Sequence, residues 1–223
     1  MADVTWQWDE KTRRYRNPET GRFLNQTQVA SLRDQFIEAR TTETTTFVGD
    51  LFKAAGSIQP GSGPWMTLVN ELDRIGWRQV ESTMIAEYVQ GRGGIKAMTS
   101  ADLAELRSLI GTQHGYWQNF VSDMRAGRIA TQEGIAHRMS LYHQAGRGMH
   151  ARAQASSWGI TLPTYPGEQE CGPGCRCSWA ITQRKGRVEA TWRLGSSSRS
   201  CAGCSRNAAQ YKPYVIEVAE AAA

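Results

Sequence analysis

No stretch of the sequence approaches the roughly 20 uninterrupted apolar residues that a membrane-spanning helix requires. Mean hydropathy is −0.51, so no membrane partner is expected. The first ten residues, Met1 to Glu10, lack the basic start, apolar core and small-residue cleavage site of an export signal. Folding in a reducing cytoplasm is the expectation. Recognisable catalytic sets are also missing: there is no Gly-x-Ser-x-Gly elbow and no His-Glu-x-x-His. Gly91-Arg92-Gly93-Gly94-Ile95-Lys96 lacks the Gly-Lys-Ser/Thr of a phosphate loop and follows a helical pattern, so it reads as a helix end. His114, His137, His143 and His150 fall in the helical region and read as surface or packing histidines. No period of 20 to 50 residues repeats along the helical region, which excludes a solenoid. Cysteine is absent from the first 170 residues.

What is present bounds the architecture. At 223 residues the chain can bury a proper core, as one domain or two unequal ones. The net charge of +5 comes from 26 basic and 21 acidic residues with the signs interspersed, which permits contact with nucleic acid without demonstrating it. Eight tryptophans spread from Trp6 to Trp192, and the plain reading is core and interface filling.

Val4, Trp6 and Trp8 alternate with polar residues, and Asn17-Pro18-Glu19-Thr20-Gly21 supplies turn chemistry before Arg22-Phe23-Leu24. Residues 1–24 therefore read as an aromatic β-hairpin or arm, too small to stand alone. Trp6, Trp8, Tyr15 and Phe23 are its candidate partner-contacting anchors. Residues 25–159 read as a helical domain. Asn25 with Gln28 and Thr99 with Asp102 are capping boxes, Pro64 opens a helix after the breaker at residues 59–63, and Gly76 interrupts the stripe of the helix that follows. Thr131 and Glu133 open a last helix that Gly159 closes. Thr41 to Thr46, five threonines in six residues, predict a break in the first helix, with a second short helix from Phe47 to Gly56.

Residues 160–223 change character to Pro, Gly, Cys and short alternating runs. Cys171, Cys175 and Cys177 are followed by Cys201 and Cys204, and the runs Ser178–Gln183 and Val188–Leu194 alternate between them as strands of a hairpin. Two thiolates on a tight turn, joined by a second pair, form the tetrahedron of soft donors that zinc takes in structural sites. The expected layout is zinc-ribbon-like, knuckle, hairpin, knuckle, with four of the five cysteines holding Zn²⁺; disulfides and free buried thiols are the alternatives. The fold class is thus mainly α, a helical body carrying an aromatic arm and a small β-hairpin subdomain.

Leu162-Pro163-Thr164-Tyr165-Pro166-Gly167, then Cys-x3-Cys-Arg-Cys-x-Trp, and later Cys-x2-Cys before Ala208-Ala209-Gln210-Tyr211-Lys212-Pro213, form a combination. It resembles the minor head, or head-morphogenesis, proteins of tailed bacteriophages, and is distantly similar to the Mu-type head-morphogenesis family. The segments from Arg14 to Leu24 and from Gly91 to Thr99 fit the same pattern. The chain departs from it at Glu168-Gln169, where an acidic Asp-Gly is usual, and at Ser200, where a histidine is usual, which argues against a histidine ligand. The resemblance implies a non-enzymatic virion component, multimeric in the virion and assembled in the bacterial host cytoplasm with the portal or major capsid protein.

Two other functions compete. Arg184, Lys185, Arg187, Arg193, Arg199 and Arg206 lie near the cysteine hairpin and would serve a zinc-ribbon nucleic-acid binder or a contact with packaged DNA. A virion-associated enzyme would need acids or histidines converging from separate helices.

Overall fold

The computed structural model describes residues 6–9, 11–12, 14–172, 175–184, 186–195 and 201–217. Among them the body comprises five helices: α1 (Gln26–Ala55), α2 (Gly63–Glu71), α3 (Trp77–Arg92), α4 (Ser100–Arg125) and α5 (Gln132–Ser157). Their starts follow local chemistry. Both capping boxes form, Asn25 with Gln28 and Thr99 with Asp102, and Ser62 caps α2 with Pro64 in its first turn.

The threonine run does not break α1. Thr41, Thr42 and Thr45 donate their hydroxyls to the carbonyls of Ile37, Glu38 and Thr41 at 2.9, 3.0 and 2.9 Å, so the side chains satisfy themselves inside the helix. Thr44 is buried and lies 2.7 Å from His143 Nε2 on α5. Tertiary contact therefore overrides weak helix propensity here.

The expected interruption at Gly76 is a change of helical winding within one continuous run, residues 63–92. Gly76 closes a π-turn, Leu72–Gly76, through which α2 passes into α3. A Cβ at Gly76 would sit 2.6 Å from Met139 Cε and 2.9 Å from the Trp117 ring, so the absence of a side chain lets this turn lie against α4 and α5. The same turn aims Asp73 at Trp117, whose Nε1 donates to Asp73 Oδ1 at 2.9 Å.

The main core gathers Trp65, Leu72, Met84, Trp117, Phe120 and Met139 among its fully buried side chains. His143 crosses its edge between two hydroxyls. Its Nδ1 lies 3.0 Å from Thr83 Oγ1 and its Nε2 2.7 Å from Thr44 Oγ1. Burial, then the Arg40 guanidinium, holds His143 down to about 4. The unfolded chain binds this proton near pH 6.5 and the folded chain only near 4, so the stability is present above 6.5 and lost as pH falls. His150, buried and also held low, acts in the same direction. Denaturant unfolding should show about 2 kcal/mol less stability at pH 5 than at pH 7 from His143 alone. A His143→Gln variant should lose most of that difference, and a wild-type midpoint unmoved between the two pH values would refute the neutral histidine.

A second core begins on α5 at Ala151 and Ala155 and continues through Trp158, Ile160 and Leu162 into Trp179, Ile181, Val188, Ala190 and Trp192. Its sheet has three strands, β3 (Ser178–Arg184), β4 (Arg187–Arg193) and β5 (Tyr214–Glu217), antiparallel in the order β3-β4-β5. The hairpin of β3 and β4 matches the alternation. The sequence reading left out β5.

The N-terminal segment corrects the expectation of a hairpin turning at residues 17–21. The paired strands among the described residues are β1 (Gln7–Asp9) and β2 (Arg14–Arg16); across residues 17–21 no further strand forms, and Arg16 and Phe23 make an isolated bridge beside the bonds from Asn17 N to Arg22 O and from Leu24 N to Tyr15 O, both 2.8 Å. Asn17 Oδ1 accepts from the amides of Glu19 and Thr20 at 2.8 and 3.0 Å, which coils the turn instead of extending it.

Candidate metal centre

The cysteine centre is assembled from the loop before β3 and from the first turn of a short helix, α6 (Ala202–Gln210). That second source corrects the expected layout, because Cys201 and Cys204 lie on a helix start and not on a second knuckle. Cys201 is the N-cap, and its sulfur accepts from the Cys204 amide at 3.4 Å. Glu170 fixes this turn from outside: its carboxylate accepts from the Gly203 amide at 2.8 Å and from Arg206 at 2.8 Å. A Cβ at Gly203 would collide with that carboxylate. Its own backbone amide, Arg206 and Gly203 hold the Glu170 carboxyl down to about 2.

The loop itself is tied by the two residues that depart from the resembled pattern. Glu168 accepts from the Tyr165 amide at 2.8 Å and from the Thr164 hydroxyl at 3.0 Å. Gln169 donates to Thr164 Oγ1 at 2.7 Å and lies 3.9 Å from the Cys175 sulfur. Trp179 Nε1 donates to Thr164 O at 2.9 Å, which anchors the loop to β3.

All five cysteines are unbridged. Their sulfurs fall into two overlapping triads, Cys171 with Cys201 and Cys204, and Cys175 with Cys177 and Cys204, each within 4.8 Å. The Cys204 sulfur is 3.5 Å from that of Cys171 and 3.6 Å from that of Cys175. A disulfide would need about 2.05 Å, whereas sulfurs about 2.3 Å from a tetrahedral zinc stand about 3.8 Å apart. The donor set and its spacing therefore fit a zinc-like ion. Cys177 donating to its sulfur pushes the Cys175 thiol down to about 5, while the same contact raises Cys177. Burial raises Cys171 and pushes Cys204 up to about 12. At Cys201 burial opposes ionisation, yet the Cys204 amide and the Cys171 thiol hold it below its ordinary value. A cation entering the cluster would displace the protons these sulfurs share.

The other candidate residues are not gathered at this centre. Trp6 and Tyr15 are buried against Val29 on α1, and the Tyr15 hydroxyl donates to Gly91 O at 3.1 Å, so both serve the chain's own packing. Phe23 lies under the Arg14 and Arg16 guanidinium groups, 4.5 and 4.4 Å from its ring centre. The side chain of Trp8 lies outside the described residues. Of the six cations, Arg184 and Arg187 both pair with Glu189, at 3.3 and 2.7 Å, and Arg206 pairs with Glu170. Arg193 has no carboxylate partner among the described residues, and Lys185 and Arg199 lie outside them.

Sequence reasoning passed over Glu170, although an acid directly before Cys171 was a visible signal. It also passed over a cavity of about 520 Å³ between α4, α5 and residues 165–168, where Tyr116, Tyr142, Tyr165 and Arg138 converge. Those positions come together only through the packing of α4 on α5. Comparison of the chain with protein-family models, curated proteins and solved structures gave no match.

Proposed function

We propose that the chain is a non-enzymatic structural protein of a tailed-phage head, assembling with the portal or major capsid protein, whose cysteine centre is stapled by one structural zinc. The observation that carries the metal reading is the position of Cys204, the sulfur common to both triads. Cys171, Cys175, Cys201 and Cys204 are the assigned ligands. Cys171 and Cys175 each approach Cys204 closely, and Cys201 shares the triad of Cys171. Cys177 shares the triad of Cys175 and is buried directly before β3, and it is the sulfur left over once Cys171 and Cys175 are assigned by their approach to Cys204. Four sulfurs close the coordination sphere and leave no position for a reacting water, so the metal supplies folding free energy and no catalysis.

The assembly reading is supported by where the resembled motif lies. Tyr165-Pro166-Gly167 and Cys175-Arg176-Cys177 belong to one stretch, held together by Thr164, Glu168 and Gln169. A stapled knob on a helical body is suited to docking on a lattice. Purified particles encoded with this chain should contain it in fixed ratio to the portal protein by quantitative mass spectrometry. Particles that carry portal and capsid proteins without it would overturn the assembly reading. Elemental mass spectrometry of the isolated protein tests the metal separately, with about one zinc per chain expected. Binding to portal or capsid protein should persist in salt that abolishes phosphate contacts, which distinguishes this reading from nucleic-acid binding.

A further inference from the structure

A second constellation lies where α1 and α5 meet β3 and β4. A cleft of about 60 Å³ is bordered there by Tyr15, Arg33, His150, Gln154, Ser178 and Arg193. Arg33, Gln154, Ser178 and Arg193 carry hydrogen-bond donors, the Tyr15 hydroxyl being committed to Gly91 O, and no carboxylate is among the described residues of the wall. The cleft is several times larger than the roughly 10–15 Å³ that one water needs.

The deep side of the cleft is built. Arg33 is 7% exposed and His150 1%, so neither guanidinium nor imidazole is a loose surface group. Glu87 Oε2 accepts from Arg33 Nε and Nη2 at 3.1 and 3.0 Å, which fixes the plane of the guanidinium. His150 Nδ1 is buried without a hydrogen-bond partner, its closest carboxylate oxygen, on Glu87, being 3.9 Å away. Arg193 closes the outer side from β4 and is the described cation of its group that no acid neutralises. On the wall itself the cations are Arg33, whose charge Glu87 balances from behind, and Arg193, which meets no carboxylate among the described residues. The uncompensated charge at the cleft is therefore that of Arg193, beside the neutral donors of Ser178 and Gln154.

We propose that this seam is a binding site for a phosphate group, either free phosphate or a phosphate within a nucleic acid. Arg193 and Arg33 supply the charge, Ser178 and Gln154 the neutral donors. Because the donors come from both the helical body and the sheet, a bound phosphate holds the two together. The inference is independent of the zinc assignment.

The test uses the full-length protein as purified, titrated calorimetrically with sodium phosphate against sodium chloride at matched ionic strength. A second arm uses a short oligothymidylate with and without a 5′-phosphate. Saturable phosphate binding is expected, weakened about tenfold or more by Arg193→Ala and partly restored by Arg193→Lys. Arg193 is exposed, so the variant should fold, and its unchanged circular dichroism checks that. Tighter binding of the 5′-phosphorylated oligonucleotide marks a terminal or free phosphate as the ligand. Equal binding of both oligonucleotides, lost in Arg193→Ala, marks a backbone phosphate. No saturable binding in any arm, or binding indifferent to both Arg193→Ala and Ser178→Ala, overturns the site.

Discussion

On the proposed zinc assignment, a Cys204→Ala chain is expected to bind no zinc and, without it, to lose the folded sheet of the C-terminal third. Cys204 is the sulfur that both triads share, so its removal breaks both of them. Structural zinc contributes on the order of 10–16 kcal/mol in small zinc-dependent units, more than the whole stability of most domains. The Trp179–Trp192 pair, edge to face at 5.1 Å across β3 and β4, should then lose its near-ultraviolet circular dichroism, and limited proteolysis should cut after residue 160. Cys177→Ala is the contrasting variant. It should keep its zinc and lose about 1 kcal/mol or somewhat more, as a small buried group does when truncated. Full zinc occupancy in Cys204→Ala, or loss of zinc in Cys177→Ala, would sink the ligand assignment.

Removing the Glu87 carboxylate is expected to cost about 3–5 kcal/mol. Glu87 is fully buried on α3, receives two hydrogen bonds from Arg33 on α1, and lies close to His150 on α5. Burial raises the Glu87 carboxyl despite the opposing pull of Arg33, so desolvation is the largest influence at this site. The pair is therefore not worth its gross Coulomb energy. What costs free energy in Glu87→Ala is Arg33 left buried and uncompensated, beside an Arg147 still held by Asp34. Urea unfolding of Glu87→Ala, Arg33→Met and the double variant would measure this directly. The double variant should recover most of the loss, giving a coupling of 2 kcal/mol or more, in the range seen for contacting residues in one network. Additive losses would mean that Glu87 acts through packing alone.

Much of the helical body was legible because its boundaries are written in adjacent residues. Asn25 with Gln28, Thr99 with Asp102, and Ser62 before Pro64 each carry the chemistry of a helix start, and α1, α4 and α2 begin there. The alternation of Trp179, Ile181, Val188, Ala190 and Trp192 likewise announced the hairpin. What was not legible depends on residues far apart in the chain. The threonine run stays helical because Thr44 meets His143, 99 residues away. The aromatic arm turned inward because Tyr15 finds Gly91, 76 residues on. At the metal centre the cysteines themselves were plain from spacing. That Cys201 caps a helix, and that Glu170 holds that cap, required knowing where residue 170 lies relative to residue 203.

Helix α5 belongs to two interiors at once. Its first half, with Ile135, Ala136, Met139 and Tyr142, lies in the core of the body, while Ala151 and Ala155 lie in the core of the sheet. The change of composition near residue 160 is thus an edge in the text of the sequence but not in the solid. A single helix of 26 residues works like a shared wall between two rooms, and neither room keeps its shape if the wall is taken by the other. The sulfur side and the helical side are therefore built on one unbroken helix.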